Sequence, residues 1–107
     1  MPIQVLIKRQ FVPEKAEAIA PLMIRLRSMA STRPGYLSSR SLRCLEPCED
    51  NEYLVISTWQ SVESWKNWLQ SPERKAIQEE IDRISGENTE YWIYEDLVGG
   101  IDSLISS

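Results

Sequence analysis

The chain has 107 residues, 42% of them apolar and 26% charged, the balance of one folded domain rather than of a disordered segment. Twelve lysines and arginines against sixteen acidic residues leave a formal charge of −4, which argues against nucleic acid as a partner. No apolar run approaches the roughly 18 residues of a membrane span, and Met1 to Gln10 lacks the pattern of a secretory leader. One water-soluble, cytoplasmic domain over residues 1–107 is expected.

In chain order, Ile3 to Arg9 alternates as a strand, with Ile3, Val5 and Ile7 on one face and Gln4, Leu6 and Lys8 on the other. Phe11-Val12-Pro13 ends it. From Glu14 to Ala30 the apolar residues Ile19, Leu22, Met23, Leu26, Met29 and Ala30 recur at helical spacing. Pro21 conflicts with that helix, because it lacks an N–H donor and crowds the carbonyl four residues back, so a late or distorted first turn is expected. Arg33-Pro34-Gly35 is a turn, Tyr36 to Leu45 alternates as a second strand, and Tyr53 to Trp59 is a third, paired as a hairpin.

Ser61 is a good N-cap for a helix with Val62, Trp65 and Leu69 inward. Ser71-Pro72-Glu73 restarts it, and Ile77, Ile81 and Ile84 continue the buried stripe to about Gly86. Glu90 to Glu95 is a fourth strand, and residues 98–107 form a short amphipathic tail, mobile or packed on a partner. The order βαββαβ predicts an α+β, ferredoxin-like domain: an antiparallel four-stranded sheet with two helices on one face. The other face carries Leu6 beside Gln4 and Lys8, and the third strand is apolar on both sides, with Tyr53 and Val55 on one parity and Leu54 and Ile56 on the other; a face this apolar predicts a homodimer closed sheet on sheet.

Cys44 and Cys48 are the only cysteines, and the chain has no histidine. A four-ligand zinc site would have to be shared between subunits, so the pair reads as structural or incidental thiols, with a redox or metal pair as the alternative. The carboxylates Glu46, Glu49, Asp50 and Glu52 read as a solvated loop.

Three segments, Pro34-Gly35-Tyr36-Leu37, Tyr53 to Ser61 and Trp65-Lys66-Asn67-Trp68-Leu69-Gln70-Ser71-Pro72, resemble the antibiotic biosynthesis monooxygenase superfamily. The resemblance of layout runs from about Ile3 to Leu97. It implies a dimeric α+β barrel with a pocket between sheet and helices in each subunit. Some members are cofactor-independent monooxygenases that turn aromatic phenols into quinones, and others degrade haem. Trp68 matches the tryptophan that both kinds carry on the second helix. The histidine that ligates haem iron would fall at Ile77 or Gln78, and the asparagine of the first strand at Lys8. Neither Ile77 nor Gln78 is a normal axial ligand, so haem degradation is disfavoured.

The resemblance therefore implies a monooxygenase without a cofactor, acting on a small aromatic, phenolic or quinol-like molecule. The alternative is a non-catalytic dimer that binds or senses such a molecule. Quinone-forming members place an asparagine one turn before the tryptophan, where this chain has Ser64, with Asn67 directly before Trp68. Trp68, Ser64 and Asn67 are the candidate catalytic residues: the indole to stack on a ring, the polar groups to donate to a phenolate or peroxide. Lys8, Leu6, Arg40, Ile77 and Gln78 are the candidate substrate-binding residues. Lys8 and Arg40 have two readings each, as buried cations facing the pocket or as side chains reaching solvent at its mouth. Trp68 is read as pocket-lining or as core, and Trp59 and Trp65 as core.

Overall fold

The computed structural model describes residues 2–48 and 51–105. Two of the four loop carboxylates, Glu49 and Asp50, and the last two residues of the tail lie outside the described residues. Strand β1 (Ile3–Gln10) carries the expected alternation, with Ile3, Val5, Ile7 and Arg9 buried and Gln4, Leu6 and Lys8 only partly covered. A 3-10 turn over Pro13–Lys15 precedes helix α1 (Ala16–Ala30), which is the late start that the sequence suggests. Pro21 nevertheless lies inside the helix. It is exposed there, so water can satisfy the Glu17 carbonyl that its ring leaves without a donor.

Strands β2 (Tyr36–Arg43) and β3 (Glu52–Trp59) form the hairpin, β2 stopping two residues short of the expected end. Cys44 and Cys48 are joined in a disulfide across its loop, with Cα atoms 6.0 Å apart, so neither sulfur serves as a free thiolate. Helix α2 (Val62–Leu69) is capped by Ser61, whose hydroxyl accepts from the Ser64 amide at 3.1 Å. Its buried pair is Trp65 and Trp68; Val62, expected inward, is 39% exposed, because it sits in the first turn, away from the indole face. Helix α3 (Pro72–Ser85) is capped by Ser71, which accepts from the Arg74 amide at 3.3 Å, and ends at Gly86, whose φ of 75° favours glycine. Strand β4 (Glu90–Glu95) has the expected bounds, and an exposed 3-10 turn over Ile101–Leu104 follows.

The strand order is β2-β3-β1-β4, all neighbours antiparallel, with β1 in the middle. This is the ferredoxin-like α+β fold. Val5, Ile19, Trp59, Trp65 and Ile81 are the most deeply buried members of one core between the sheet and the helices. On the opposite face, Leu6 lies between Ile56 and Trp92, and Leu54 lies between Lys8 and Leu42. Leu42, Trp92 and Tyr94 are exposed there. Among the described residues no helix is long and apolar enough to cross a membrane.

Candidate active site

A cavity of about 350 Å³ opens between the helix-covered face of the sheet and helices α1 and α2, at the small end of the roughly 300–1,000 Å³ typical of ligand sites. Strand alternation builds its floor. Ile7, Arg9 and Phe11 come from β1 and its extension, Tyr53, Val55 and Ser57 from β3, and Tyr91 from β4. Phe11 and Tyr53 stack with centroids 4.3 Å apart and planes within 11°, a flat aromatic wall.

The contribution of β2 depends on an irregularity. Its register against β3 shifts between Tyr36 and Ser38, so that Tyr36 pairs with Trp59 while Ser39 and Ser41 pair with Ser57 and Val55. Tyr36, Ser39 and Ser41 therefore all face the cavity, and the Tyr36 hydroxyl donates to Ser39 Oγ at 2.9 Å. A bulge of this kind adds one residue to a strand and exchanges its faces.

Helix α2 supplies the roof. Trp65 and Trp68 are 2% and 5% exposed and both line the cavity. Trp65 is the more enclosed by aromatic neighbours, with Trp59 at 6.0 Å and Tyr91 at 5.8 Å. Trp68 carries the Arg33 guanidinium over its ring at 5.4 Å.

Two buried arginines bring charge to this apolar space. Arg9 continues the buried parity of Ile3, Val5 and Ile7, and its Nη1 donates to Gln78 Oε1 at 2.9 Å and to Thr89 Oγ1 at 3.2 Å. Gln78 Nε2 and Thr89 Oγ1 in turn reach Asp82 Oδ1 at 2.8 and 3.0 Å. Burial pushes the Arg9 pKa down; Tyr91 and Asp82 oppose that, and Arg74 adds to it. Arg74, from the first turn of α3, donates through Nε to the Leu69 carbonyl at 2.7 Å and through Nη1 to the Tyr91 hydroxyl at 3.0 Å. The site can thus hold a flat ring between indole and phenyl walls and present positive charge to it.

Of the eight candidate site residues named from the sequence, Trp68 alone lines the cavity. Gln78 lies one step behind it, holding Arg9. Ser64 is turned into the helix start, 3.0 Å from Ser61 Oγ, and Asn67 is exposed. Leu6, Lys8 and Arg40, expected in the pocket, lie on the other face of the sheet. Lys8 pairs there with Glu52 at 3.4 Å, and the β2 bulge takes Arg40 off the Tyr36 face to pair with Ile56. Ile77 is core, in a shallow groove of α1 and α3 beside Leu22 and Met29. Trp65, read as core, is both core and cavity wall.

Arg9 and Arg74 were missed, and Arg9 had a signal: a charge on the apolar parity of a central strand. The β2 serines had none, because the bulge leaves no mark in the alternation.

The antibiotic biosynthesis monooxygenase family model matches residues 2–80, and the chain belongs to that family. No curated protein sequence matches it. Among solved structures, a conserved protein from Methanosarcina mazei Go1 superposes with a TM-score of 0.79 at 22% identity, covering 91% of this chain and 94% of that one. SnoaB, a cofactor-independent oxygenase from Streptomyces nogalater, superposes with a TM-score of 0.74 at 15% identity over 90% and 93%. A protein from Caulobacter crescentus CB15, described as a putative antibiotic biosynthesis monooxygenase, gives 0.78 at 18% identity over 90% of each chain. At these identities the likeness is one of fold.

Proposed function

We propose that the protein is a cofactor-independent monooxygenase that oxidises a small aromatic phenol or quinol in the cavity beneath Trp65 and Trp68. The observation that carries this reading is an aromatic-walled space of ligand size bordered by buried guanidinium groups, on the fold of a family that includes oxygenases. The deprotonated phenol is itself the reductant: a phenol and one O2 give a quinone and one water, with no electrons from elsewhere. The chain's part is to stack the ring on Trp68, exclude water, and hold negative charge on oxygen with Arg9 and Arg74. Two copies joined through the Leu6, Leu54, Ile56 and Trp92 face form the working dimer.

The second reading is a dimer that binds such a molecule without oxidising it. What favours it is the placement of Ser64 and Asn67 outside the cavity, so that Ser64, at the polar position of quinone-forming members, is turned to Ser61 and not to the ligand space. Oxygen consumption across a panel of dihydroxynaphthalenes and anthrones, with no added flavin or metal, separates the two. Turnover with quinone formation supports the oxygenase, and saturable binding with no oxygen uptake supports the second reading.

A further inference from the structure

We infer that the cavity takes its aromatic ligand as an anion, with the charged oxygen of a carboxylate or phenolate seated against Arg9. This rests on the reading of the cavity as the ligand site and goes on to the charge of the occupant. Arg9 is 6% exposed, yet only one of its three nitrogens, Nη1, donates to a described residue, and its buried Nε has no partner. Both acceptors of Nη1, Gln78 and Thr89, are neutral. Among the described residues no carboxylate lies within ion-pair distance of Arg9, and Asp82 reaches it only through those two side chains.

A guanidinium keeps its proton in a protein, so this charge cannot be shed to relieve the burial. Burying it with donors unused is costly, and an incoming anion recovers that cost as charge-assisted hydrogen bonds. The charged groups that line the cavity among the described residues have one sign: Arg74 and Arg27 border it with Arg9, and no aspartate or glutamate among them does. Such a wall repels a cation, is indifferent to a neutral arene and attracts an aromatic anion. The aromatic surfaces of Phe11, Tyr53, Trp65 and Trp68 take up the ring, and Arg9 takes the oxygen.

The test is binding of three naphthalene probes to the full chain by equilibrium dialysis: 2-naphthoate, the neutral 2-naphthylmethanol, and 4-nitro-1-naphthol, whose visible absorption reports its ionisation. Wild type should bind naphthoate at least about tenfold more tightly than the neutral alcohol, the scale of one charged hydrogen bond. The bound nitronaphthol should be ionised at a pH where it is neutral in water if phenolates are accepted; a preference confined to naphthoate assigns the site to carboxylates. Arg9→Met should reduce the preference for naphthoate to less than about threefold. Should that variant not fold, Arg9→Lys decides, since it keeps the charge and loses the fork: part of the preference should survive.

Equal affinity of wild type for naphthoate and the alcohol overturns the inference, as does full preference in Arg9→Met or none in a folded Arg9→Lys. Oxygen uptake on the dihydroxynaphthalene and anthrone panel, measured on the same preparations, separates this result from the oxygenase reading. Anion preference without uptake removes the oxygenase and leaves Arg9 standing, whereas uptake without anion preference does the reverse.

Discussion

Gly35 and Ser64 touch across the start of helix α2: a Cβ added to Gly35 would lie 2.5 Å from Ser64 Cβ, and closer still to the hydroxyl. Gly35 also has a φ of +86°, so the turn requires glycine twice, for backbone conformation and for space. Gly86 has a similar φ of +75° with nothing within 4 Å. Gly86→Ala should cost about 1 kcal/mol of strain, and Gly35→Ala about 2–3 kcal/mol. Removing the opposing side chain with Ser64→Gly should recover part of the excess. A double-mutant cycle in urea checks this, and additive losses would mean that the two residues do not press on each other.

Trp65 and Trp68 should respond differently to truncation although both are buried. Trp65 is held among Trp59 and Tyr91, and Trp65→Ala should cost about 3–5 kcal/mol. Trp68 has the side chain of Arg33 on one face, and Trp68→Ala should cost less stability while weakening binding of a naphthalene probe by about tenfold. Equal stability losses with unchanged binding per folded molecule would make Trp68 packing alone.

Light scattering at micromolar concentration should give twice the chain mass. Trp92→Glu places a charge opposite Leu6 at the centre of the apolar sheet face and should yield a folded monomer. A dimer that tolerates the glutamate would put the interface elsewhere.

Under non-reducing denaturation a thiol assay should find no free sulfhydryl from Cys44 and Cys48, and two after reduction. Loop closure over so few residues predicts that reduction costs about 2 kcal/mol, read from the urea midpoint. Disulfides are uncommon in the cytosol, so two free thiols in protein purified anaerobically would show that the bond forms only on oxidation.

Glu73 lies in the first turn of α3, where the Ser71 hydroxyl donates to Oε2 at 2.7 Å. That hydrogen bond, followed by one from its own amide and the charge of Arg33, holds its carboxyl below the usual glutamate range. A carboxylate with a lowered folded-state pKa stabilises fully above its unfolded-state value and loses that contribution as pH falls through the folded value. Glu73→Gln should therefore cost stability at pH 7 and converge with wild type at acid pH, with the Glu73 titration in Ser71→Ala moved upward by NMR. A gap between the variants that is the same at pH 7 and at acid pH would mean that charge on Glu73 is not what stabilises.

What was legible in the sequence is local. The caps at Ser61 and Ser71, the stop at Gly86 and the alternation of β1 depend on neighbours a few positions away, and all appear where their residues place them. The site depends on what packs across from what. Lys8 looked like a pocket residue through its family position, but its parity is that of Gln4 and Leu6, on the face away from the helices. Ile77 and Gln78 share the inward stripe of α3, yet the cavity reaches that helix only at its first turn, through Arg74.

The bulge after Tyr36 makes the character of one pocket wall depend on strand register rather than on side-chain identity. Plain alternation from Tyr36, with Leu37 paired in the ladder, would turn Arg40 and Leu42 inward and send Ser39 and Ser41 to the outer face; setting Leu37 out of the ladder reverses this. A one-residue slip that drew Leu37 into the ladder would thus exchange a hydroxyl-lined wall for a cationic and aliphatic one with no change of sequence.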